Sequence, residues 1–492
     1  MLGIRAQKSA SVKFAEIVPL TSSESRQHYS HPAPPSIGAC LEISRAKALA
    51  RFPILFLPFC FIEPLEKRAG LQFKWEHASK KLVSLWQDPK ARLILLSNFL
   101  LVVGSGITWI AVPWLLIQKP NGEALYGISN AILTLLIFVL LPYLGRVIDR
   151  SSRKKVVVGY FFFGIATNLF VVAMILIEHH VAAWHLIVAI SLGSLGASVY
   201  YPAQYAFNQE VLSRDQYRAL SGAIEVQWQA GAMIAGGLAA FLINRVPLTL
   251  ILLFDTLTFA SGLLVISFVP YQRSSEPGSS SPSAWEMMFE GLTYLRLRPR
   301  LSLVMFSSFL PFLGVMLGGY LTPIFVKDVL RAGPEVYGFG EVFYSLGAVI
   351  AGLTIPSMSG KLGLVPTLLL TVGSYTIAVA ANPLFPGIAV LICSLALQGW
   401  GNAGSRVARS TLTLETVPNE LIGRVTLFFS ALERLLRSIF LMVITHQVAS
   451  AGARMGFWTI AAIGAFAWIA IMACRRFRRH KVAPAAVIGK PA

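Results

Sequence analysis

The sequence predicts an all-α membrane protein with about twelve transmembrane helices, arranged as two six-helix parallel repeats. Three observations support this prediction. The 492 residues are 55% hydrophobic and only 13% charged, whereas soluble proteins carry about 25% charged residues. Apolar segments of roughly 20 residues, enough to cross a bilayer as a helix, recur about twelve times. The second six segments also resemble the first six in sequence.

The chain begins with a polar region that carries little structural signal. It contains Pro, Ser and basic residues and one apolar run at residues 52–62. That run contains two prolines and is too short to span a membrane. We therefore expect residues 1–86 to form a largely disordered cytoplasmic extension. A signal-peptide core and an over-extended start codon are the alternatives.

The apolar segments place six spans in a first bundle, residues 87–272, and six in a second bundle, residues 301–474. Between them, a Ser/Pro/Gly-rich linker leads into a pattern typical of a surface helix, so residues 273–300 are expected on the cytoplasmic face. Residues 475–492 form a basic cytoplasmic tail. The spans are predicted at about 91–117, 125–145, 156–177, 183–207, 220–243, 248–270, 301–327, 335–357, 365–382, 385–408, 425–448 and 454–474.

Basic residues are distributed unequally over the loops, and this predicts the orientation of the protein. Because cytoplasmic loops are enriched in Lys and Arg, both termini are expected in the cytoplasm, with the protein in the plasma (inner) membrane. This distribution explains the net charge of +19 without nucleic-acid binding. Loops after odd-numbered spans hold Lys119, Arg245, Lys327, Arg331 and Arg454; loops after even-numbered spans hold Arg150, Arg153, Lys154, Lys155, Arg214, Arg218, Arg273, Arg296, Arg298, Arg300, Lys361, Arg409 and Arg424.

The two halves repeat specific residues in the same order. The segment beginning at Ser97 aligns without a gap with the segment beginning at Ser307, and the pair Tyr126-Gly127 recurs as Tyr337-Gly338. Equivalent spans that run in the same direction imply parallel repeats about an axis along the membrane normal, with the substrate site between the halves. The matching pairs are Ser97 with Ser307, Phe99 with Phe309, Gly104 with Gly314 and Pro113 with Pro323.

The loop between the second and third spans holds a dense group of charges. Gly145 and Asp149 are four residues apart, as are Asp149 and Arg153, so each pair shares one face of a continuous helix. The glycine is expected to let a neighbouring helix approach, and the aspartate to face the positive end of that helix or an arginine. The alternative is an ordinary basic cytoplasmic loop. The motif consists of Gly145, Asp149, Arg150, Arg153, Lys154 and Lys155.

This spacing resembles a signature of the major facilitator superfamily, Gly-x-x-x-Asp-Arg-x-Gly-Arg-Arg, with Ser152 in place of the second glycine. The resemblance extends from about Trp86 to Cys474. Four stretches, WIAVPWLLI, YYPAQYAFNQEVL, LFDTLTFASGLLV and ETVPNELIGRV, resemble twelve-span exporters of the enterobactin-exporter and macrolide-efflux type. The resemblance implies alternating access and export driven by proton entry. The fifth span departs from the antiporter pattern Gly-Pro-x-x-Gly-Gly, because it lacks the proline.

Charged residues inside apolar spans are costly and mark candidate functional positions. The eleventh span holds Glu433, Arg434 and Arg437. If its helix starts near Arg424, Glu433 lies about 13 Å and Arg437 about 20 Å along it. Glu433 and Arg437 are one turn apart and are expected to pair. We expect the trio to bind an anionic substrate group or to couple to protons. The alternatives are an internal ion-pair lock and arginines that extend to an interface.

Two other acidic residues lie in apolar spans. Asp255 lies about two turns inside the sixth span. It is a candidate either for proton coupling or for a packing role, hydrogen-bonded to hydroxyls such as those of Thr256 and Thr258. Glu341, near the outer end of the eighth span, is expected to be solvated.

Polar and aromatic residues form a band across the fourth and fifth spans. Within it, Glu225 is a candidate for substrate or proton coupling. Aromatic rings with polar tips suit an amphipathic, partly planar cargo, and an aromatic belt at the membrane interface is the alternative. The residues expected to line the cavity are Tyr201, Gln204, Gln227 and Trp228.

The sequence therefore predicts a secondary transporter that exports a small amphipathic molecule, a siderophore or a drug-like compound, in exchange for protons. Metabolite uptake or lysophospholipid flipping by the same fold is one alternative, and a non-transporting membrane sensor is the other. No nucleophile–base set, metal site or nucleotide-binding loop is recognisable by spacing, so we expect no enzyme activity, metal or cofactor. The expected partners are the substrate, protons and the lipid bilayer, and the expected state is a monomer.

Overall fold

The structure of the protein, a computed structural model, describes residues 87–272 and 284–474. The predicted N-terminal extension, most of the Ser/Pro/Gly-rich linker and the basic tail lie outside the described residues. Within the described ranges every regular element is a helix and no strand occurs. The all-α prediction is therefore confirmed.

Six long helices make up the first half of the molecule. A short helix then precedes the six long helices of the second half, the first of which continues into a π-helical turn, Phe325–Val329. The helices are α1 (Pro89–Ile117), α2 (Gly122–Arg150), α3 (Arg153–Glu178), α4 (Ala183–Val211), α5 (Arg214–Leu242), α6 (Leu248–Ser267), α7 (Ala284–Arg296), α8 (Pro299–Ile324), α9 (Pro334–Leu362), α10 (Leu364–Leu384), α11 (Ile388–Thr416), α12 (Asn419–Ala451) and α13 (Ala453–Ala473).

Ten of the twelve long helices are long and apolar enough to cross a membrane. The other two, α5 and α12, have 29 and 33 residues but carry charged or amide side chains in their middle turns. Glu225 and Gln229 lie in α5, and Glu433 and Arg437 lie in α12. These are the fifth and eleventh long helices, which occupy equivalent places in the two halves. Their polarity is therefore a property of one repeated position.

Two of the helix connections depend on a single glycine. Gly363 joins α9 to α10 with a φ of 88°, and Gly452 joins α12 to α13 with a φ of 81°. Residues with a side chain rarely adopt this left-handed region. The glycines therefore let one long helix end and the next begin without an intervening loop.

The helices pack in the same pattern in both halves. In the first half α1 contacts α5 and α6, and α3 contacts α4 and α6. In the second half α8 contacts α12 and α13, and α10 contacts α11 and α13, which are the equivalent pairs. The parallel repeat inferred from the aligned residues therefore has a counterpart in the packing.

The halves meet along two equivalent helix pairs, α2 with α12 and α5 with α9. We call this contact surface the seam. The repeated Tyr-Gly pair lies on it in both halves: a Cβ on Gly127 would clash with Thr445 of α12, and a Cβ on Gly338 would clash with the backbone of Gly236 in α5. The glycines therefore set how closely the halves approach.

Polar contacts close one end of the seam. We call it the outer end, because it carries the loops after odd-numbered spans. Lys327 donates to Glu123 at 2.7 Å and to the carbonyl of Ile117 at 2.8 Å. The hydroxyl of Tyr320 donates to the Glu123 carbonyl at 3.2 Å, and Asn244 donates to Glu335 at 3.0 Å. Each of these bonds joins one half to the other.

At the opposite, inner end the surface helix α7 contacts both halves. Trp285 of α7 packs edge-to-face on Phe138 of α2, with ring centroids 5.8 Å apart. Glu290 of α7 forms an ion pair with Arg424 of α12. The helix that follows the linker therefore lies against α2 and α12.

Candidate functional site

A charged pair links the halves in the middle of the bundle. Glu225 of α5 forms an ion pair with Arg406 of α11, and Gln229 donates to the same carboxylate oxygen at 3.2 Å. Glu225 lies 11 residues, about 16 Å, from the inner end of α5, and Arg406 lies 10 residues, about 15 Å, from the inner end of α11. The two side chains are 53% and 40% exposed, so they form a cross-half bridge that solvent can reach.

The polar site continues onto α9. The amide of Asn402 in α11 donates to the hydroxyl of Tyr344 at 2.8 Å. The same hydroxyl interacts electrostatically with Arg406, Glu225 and Glu341. The central pair is therefore part of a group of polar residues contributed by α5, α9 and α11.

The residues predicted to line the cavity divide into an exposed and a buried pair. Tyr201 of α4 and Trp228 of α5 are partly exposed and contact each other edge-to-face at 5.5 Å. Gln204 is buried and donates to Asn98 of α1, which also accepts from the hydroxyl of Tyr200 at 3.0 Å. Gln227 is buried as well, and neither atom of its amide has a hydrogen-bond partner among the described residues.

The charged trio in α12 does not form the predicted pair. Arg437 donates to Asn130 of α2 at 3.3 Å and contacts the sulfur of Met316 in α8 at 3.7 Å, so it bridges the halves instead of binding Glu433. Glu433 is buried, and its Oε1 has no hydrogen-bond partner among the described residues. It interacts with Arg437 and Arg434 only electrostatically. The helical spacing allows Glu433 and Arg437 to pair, but Arg437 binds Asn130 of the neighbouring helix α2 instead.

The position of this trio also differs from the prediction. Helix α12 begins at Asn419, so Glu433 lies about 21 Å and Arg437 about 27 Å along it. Both residues are therefore near the midpoint of the helix. The next residue, Ser438, donates to the carbonyl of Ala131 in α2 at 2.8 Å, which keeps this part of α12 on the seam.

Asp255 has the packing arrangement that the sequence analysis gave as an alternative to coupling. Its carboxylate accepts hydrogen bonds from Thr108 at 2.9 Å, Asn168 at 3.1 Å and Ser105 at 3.2 Å. These donors come from α1 and α3, so one buried carboxylate ties three helices of the first half together. Of the expected hydroxyls, Thr258 contributes a long contact at 3.5 Å, whereas Thr256 donates to a carbonyl of its own helix.

The charged loop between α2 and α3 binds helix ends. Lys154 donates to the carbonyls of Ser267 and Val269 at 2.8 Å each, and so caps the end of α6. Arg153 donates to the carbonyl of Ile148 at the end of α2. Arg150 and Lys155 are exposed, and the side chain of Asp149 lies outside the described part of the structure.

The predicted close approach at Gly145 is not present among the described residues, since a Cβ there would meet none of their atoms within 4 Å. Nearby, the hydroxyl of Tyr271 donates to Glu210. Burial and this bond to the carboxylate raise the pKa of Tyr271, so the phenol stays protonated and remains the donor. The inner ends of α4 and α6 are thus held by contacts with residues of the first half itself.

Sequence reasoning missed Arg406, and it wrongly placed Arg409 in a loop. Helix α11 continues to Thr416, so Arg409 lies inside it, donates to the carbonyl of Ser308 at 2.8 Å and stands over the ring of Phe309 at 5.2 Å. Both arginines follow the apolar part of the tenth span, where hydropathy falls although the helix does not end. Two arginines three residues apart, with no Pro or Gly after them before Pro418, were the available signal for a continuing helix.

Comparison with known proteins places the chain in a family. The family model described as Major Facilitator Superfamily matches residues 94–437. Macrolide efflux protein A of Streptococcus pyogenes is 20% identical over 355 residues, which cover 72% of this chain and 85% of that protein. The multidrug efflux pump Tap of Mycolicibacterium fortuitum is 23% identical over 348 residues, covering 68% and 83%.

Solved transporter structures share the fold. A mutant of the nucleoside transporter NupG superposes with a TM-score of 0.61 at 13% identity, covering 79% of this chain and 100% of that chain. A bacterial homologue of the iron transporter ferroportin superposes with a TM-score of 0.61 in its inward-facing state (17% identity, covering 78% and 98%) and 0.56 in its outward-facing state (18% identity, covering 79% and 99%). At these identities the likeness concerns the fold alone.

Proposed function

This chain belongs to the Major Facilitator Superfamily and is a multi-pass membrane transporter, and we propose that it exports a small amphipathic compound in exchange for protons. The observation that carries the proposal is the ion pair between Glu225 and Arg406. It joins the two halves in the middle of the bundle, where alternating access requires the substrate site to lie. The efflux relatives support the outward direction of transport.

The conformation fits one half of such a cycle. The bonds of Lys327, Tyr320 and Asn244 close the outer end, and the central pair is reachable by solvent. In the orientation that the basic residues predict, this is an inward-facing state ready to load cargo from the cytoplasm.

Proton coupling is assigned to the carboxylates on the seam. In the state described, Glu225 neutralises Arg406. A proton on Glu225 removes the negative charge and releases the guanidinium, which weakens the contact between α5 and α11. Glu433, buried beside two arginines without a direct partner, is the second group whose charge affects the fit of α12 against α2.

The cargo is assigned to an amphipathic class from the residues beside the central pair. Trp228 and Tyr201 present partly exposed rings next to the charged and amide groups of Glu225 and Gln229. Such a surface combines apolar contact with a few directional hydrogen bonds, which suits a siderophore or a drug-like molecule.

The test is cargo-dependent proton movement in proteoliposomes containing a pH-sensitive dye. We expect siderophores or drug-like compounds to drive proton flux with the wild-type protein and not with Glu225→Gln. The control is Glu420→Gln, which changes an exposed carboxylate at the start of α12 and should leave the flux unchanged. Cargo movement without any proton flux in the wild type would contradict antiport.

The direction of transport needs a separate measurement, because the same fold leaves uptake as a second candidate. Vesicles of known orientation, energised with a proton gradient, separate the two. Accumulation in inverted vesicles is expected for an exporter. Accumulation only in right-side-out vesicles would replace export with uptake.

A further inference from the structure

Glu341 in α9 is an acidic residue with no direct partner. It is only partly exposed, whereas the sequence analysis expected it to be solvated. It makes no hydrogen bond and no ion pair with any described residue, and among these residues no basic side chain offsets the burial of its carboxyl group. It lies seven residues, about 10 Å, from the outer end of α9. A carboxylate at this depth therefore lacks a matching positive charge.

Three tyrosines interact electrostatically with this carboxylate. Tyr337 and Tyr344 precede and follow Glu341 by four and three residues, so the three share one face of α9. Tyr126 of α2 approaches from the other half, and all three tyrosines interact electrostatically with Glu341. Trp114 of α1 stacks on Tyr337 at 6.3 Å. The site thus includes rings from both halves of the molecule.

The neighbouring basic residues are engaged elsewhere. Arg406 forms its ion pair with Glu225, and Arg437 donates to Asn130. Among the described side chains, neither arginine forms an ion pair with Glu341. The negative charge of Glu341 is therefore not matched by any side chain in the described part of the protein.

We propose that Glu341, together with Tyr126, Tyr337 and Tyr344, forms a subsite for the cationic head of an organic cargo, a protonated amine or a quaternary ammonium. The faces of aromatic rings attract cations, and a carboxylate in a partly desolvated site strengthens the attraction. The subsite lies at the closed outer end of the seam, so a cargo that reaches it from the inner side would have its apolar body beside the central pair. This inference rests on the proposed export function and narrows its substrate class.

The deciding experiment measures binding, not transport. Radiolabelled tetraphenylphosphonium is bound to the purified full-length protein in detergent, and is competed with benzyltrimethylammonium or with neopentylbenzene, its uncharged isostere. The ammonium compound should compete and the isostere should not. Glu341→Gln should weaken tetraphenylphosphonium binding by roughly tenfold or more, whereas Glu341→Asp, which keeps the charge, should restore most of it.

Glu420→Gln is the matched control and should bind the phosphonium like the wild type. Equal competition by both competitors, wild-type affinity in Glu341→Gln, or no phosphonium binding by the wild-type protein would each overturn the subsite. Because binding in detergent does not depend on transport, a failure of the export proposal in vesicles leaves this result unaffected. Export of neutral cargo alone, with no phosphonium bound, would reject the subsite and keep the function.

Discussion

Two buried acidic residues, Asp255 and Glu433, have opposite surroundings. Asp255 lies inside the first half and accepts hydrogen bonds from α1 and α3. Glu433 lies on the seam, where one of its oxygens has no partner and the nearby Arg437 binds Asn130 instead. Burial is similar, at 2% and 8% exposed, so only the supply of partners differs.

This difference in hydrogen-bond partners distinguishes the interior of each half, which we expect to stay rigid, from the seam, where we expect the halves to move. A fully bonded buried carboxylate stabilises one arrangement of helices, because any movement breaks several bonds at once. A carboxylate without a partner favours no single arrangement, and its charge can alter the balance between two arrangements. We therefore expect changes within a half to affect stability, and changes on the seam to affect conformation and coupling.

The largest effect is expected from Asp255→Ala. The substitution removes the acceptor from the part-buried hydroxyls of Ser105 and Thr108 and from the buried amide of Asn168, at up to about 1–3 kcal/mol for each group. The protein should melt at a clearly lower temperature in detergent, or fail to accumulate in the membrane. Asp255→Asn, which keeps one acceptor oxygen, should lose less. An alanine variant that melts like the wild type would remove the structural role of Asp255.

Glu433→Gln should affect transport and leave stability unchanged, the opposite of Asp255→Ala. The amide keeps the shape but cannot change its charge, so proton-coupled export should be abolished while the melting temperature and membrane insertion stay close to wild type. Cargo-driven proton flux in proteoliposomes measures the coupled export, and thermal unfolding in detergent measures the melting temperature. Normal coupled transport by this variant would make Glu433 a structural residue and leave the coupling to Glu225.

Gly338→Val tests the seam by steric means. A Cβ at this position would lie 2.6 Å from the carbonyl oxygen of Gly236 and 2.8 Å from the amide nitrogen of Ala240, both of them backbone atoms that cannot rotate away. The outer end should therefore open. Spin labels at Gln118 and Arg331, on opposite halves, should move apart in distance measurements. An unchanged distance would show that the approach of α5 to α9 does not hold that end closed.

Lys327→Met is expected to have the smallest effect. It removes the bonds to Glu123 and to the carbonyl of Ile117, a partly exposed group of contacts worth about 1 kcal/mol. The same pair of spin labels should show a partial shift toward longer distances and no change in melting temperature. A large loss of stability would place Lys327 among the residues that hold the fold together.

Most of the fold could be predicted from the sequence, because each span is a local apolar pattern. Residues 91–117 were predicted for α1, which covers Pro89–Ile117. The inner ends of α11 and α12 were placed poorly. Helix α11 runs to Thr416 and α12 starts at Asn419, so each extends several residues beyond its predicted limit. Hydropathy reports the part of a helix that contacts hydrocarbon, whereas the helix itself continues into the polar region.

The site was less predictable, since its bonds join residues far apart in sequence. Glu225 was recognised as a charged residue inside a span, but its partner Arg406 is 181 residues away, and no spacing within one span reports such a pair. For the same reason the local pair of Glu433 with Arg437 was expected, although Asn130 in another helix receives the arginine. Helical periodicity shows which residues can meet within a helix, and not which partner in the fold is preferred.

The polarity of α5 and α12 also has a consequence for how the protein is made. Neither helix is among the ten that are apolar enough to cross a membrane by length and composition, so contact with helices inserted earlier should contribute to the retention of each. For α5 the retaining partner is α1, in the same half; for α12 it includes α2, in the other half. Because α12 also contacts α7 and α8, which precede it in the chain, contact with α2 adds to its retention once the halves have met. Protease protection of nascent chains lacking α2 would show this as greater exposure of α12 to the aqueous phase.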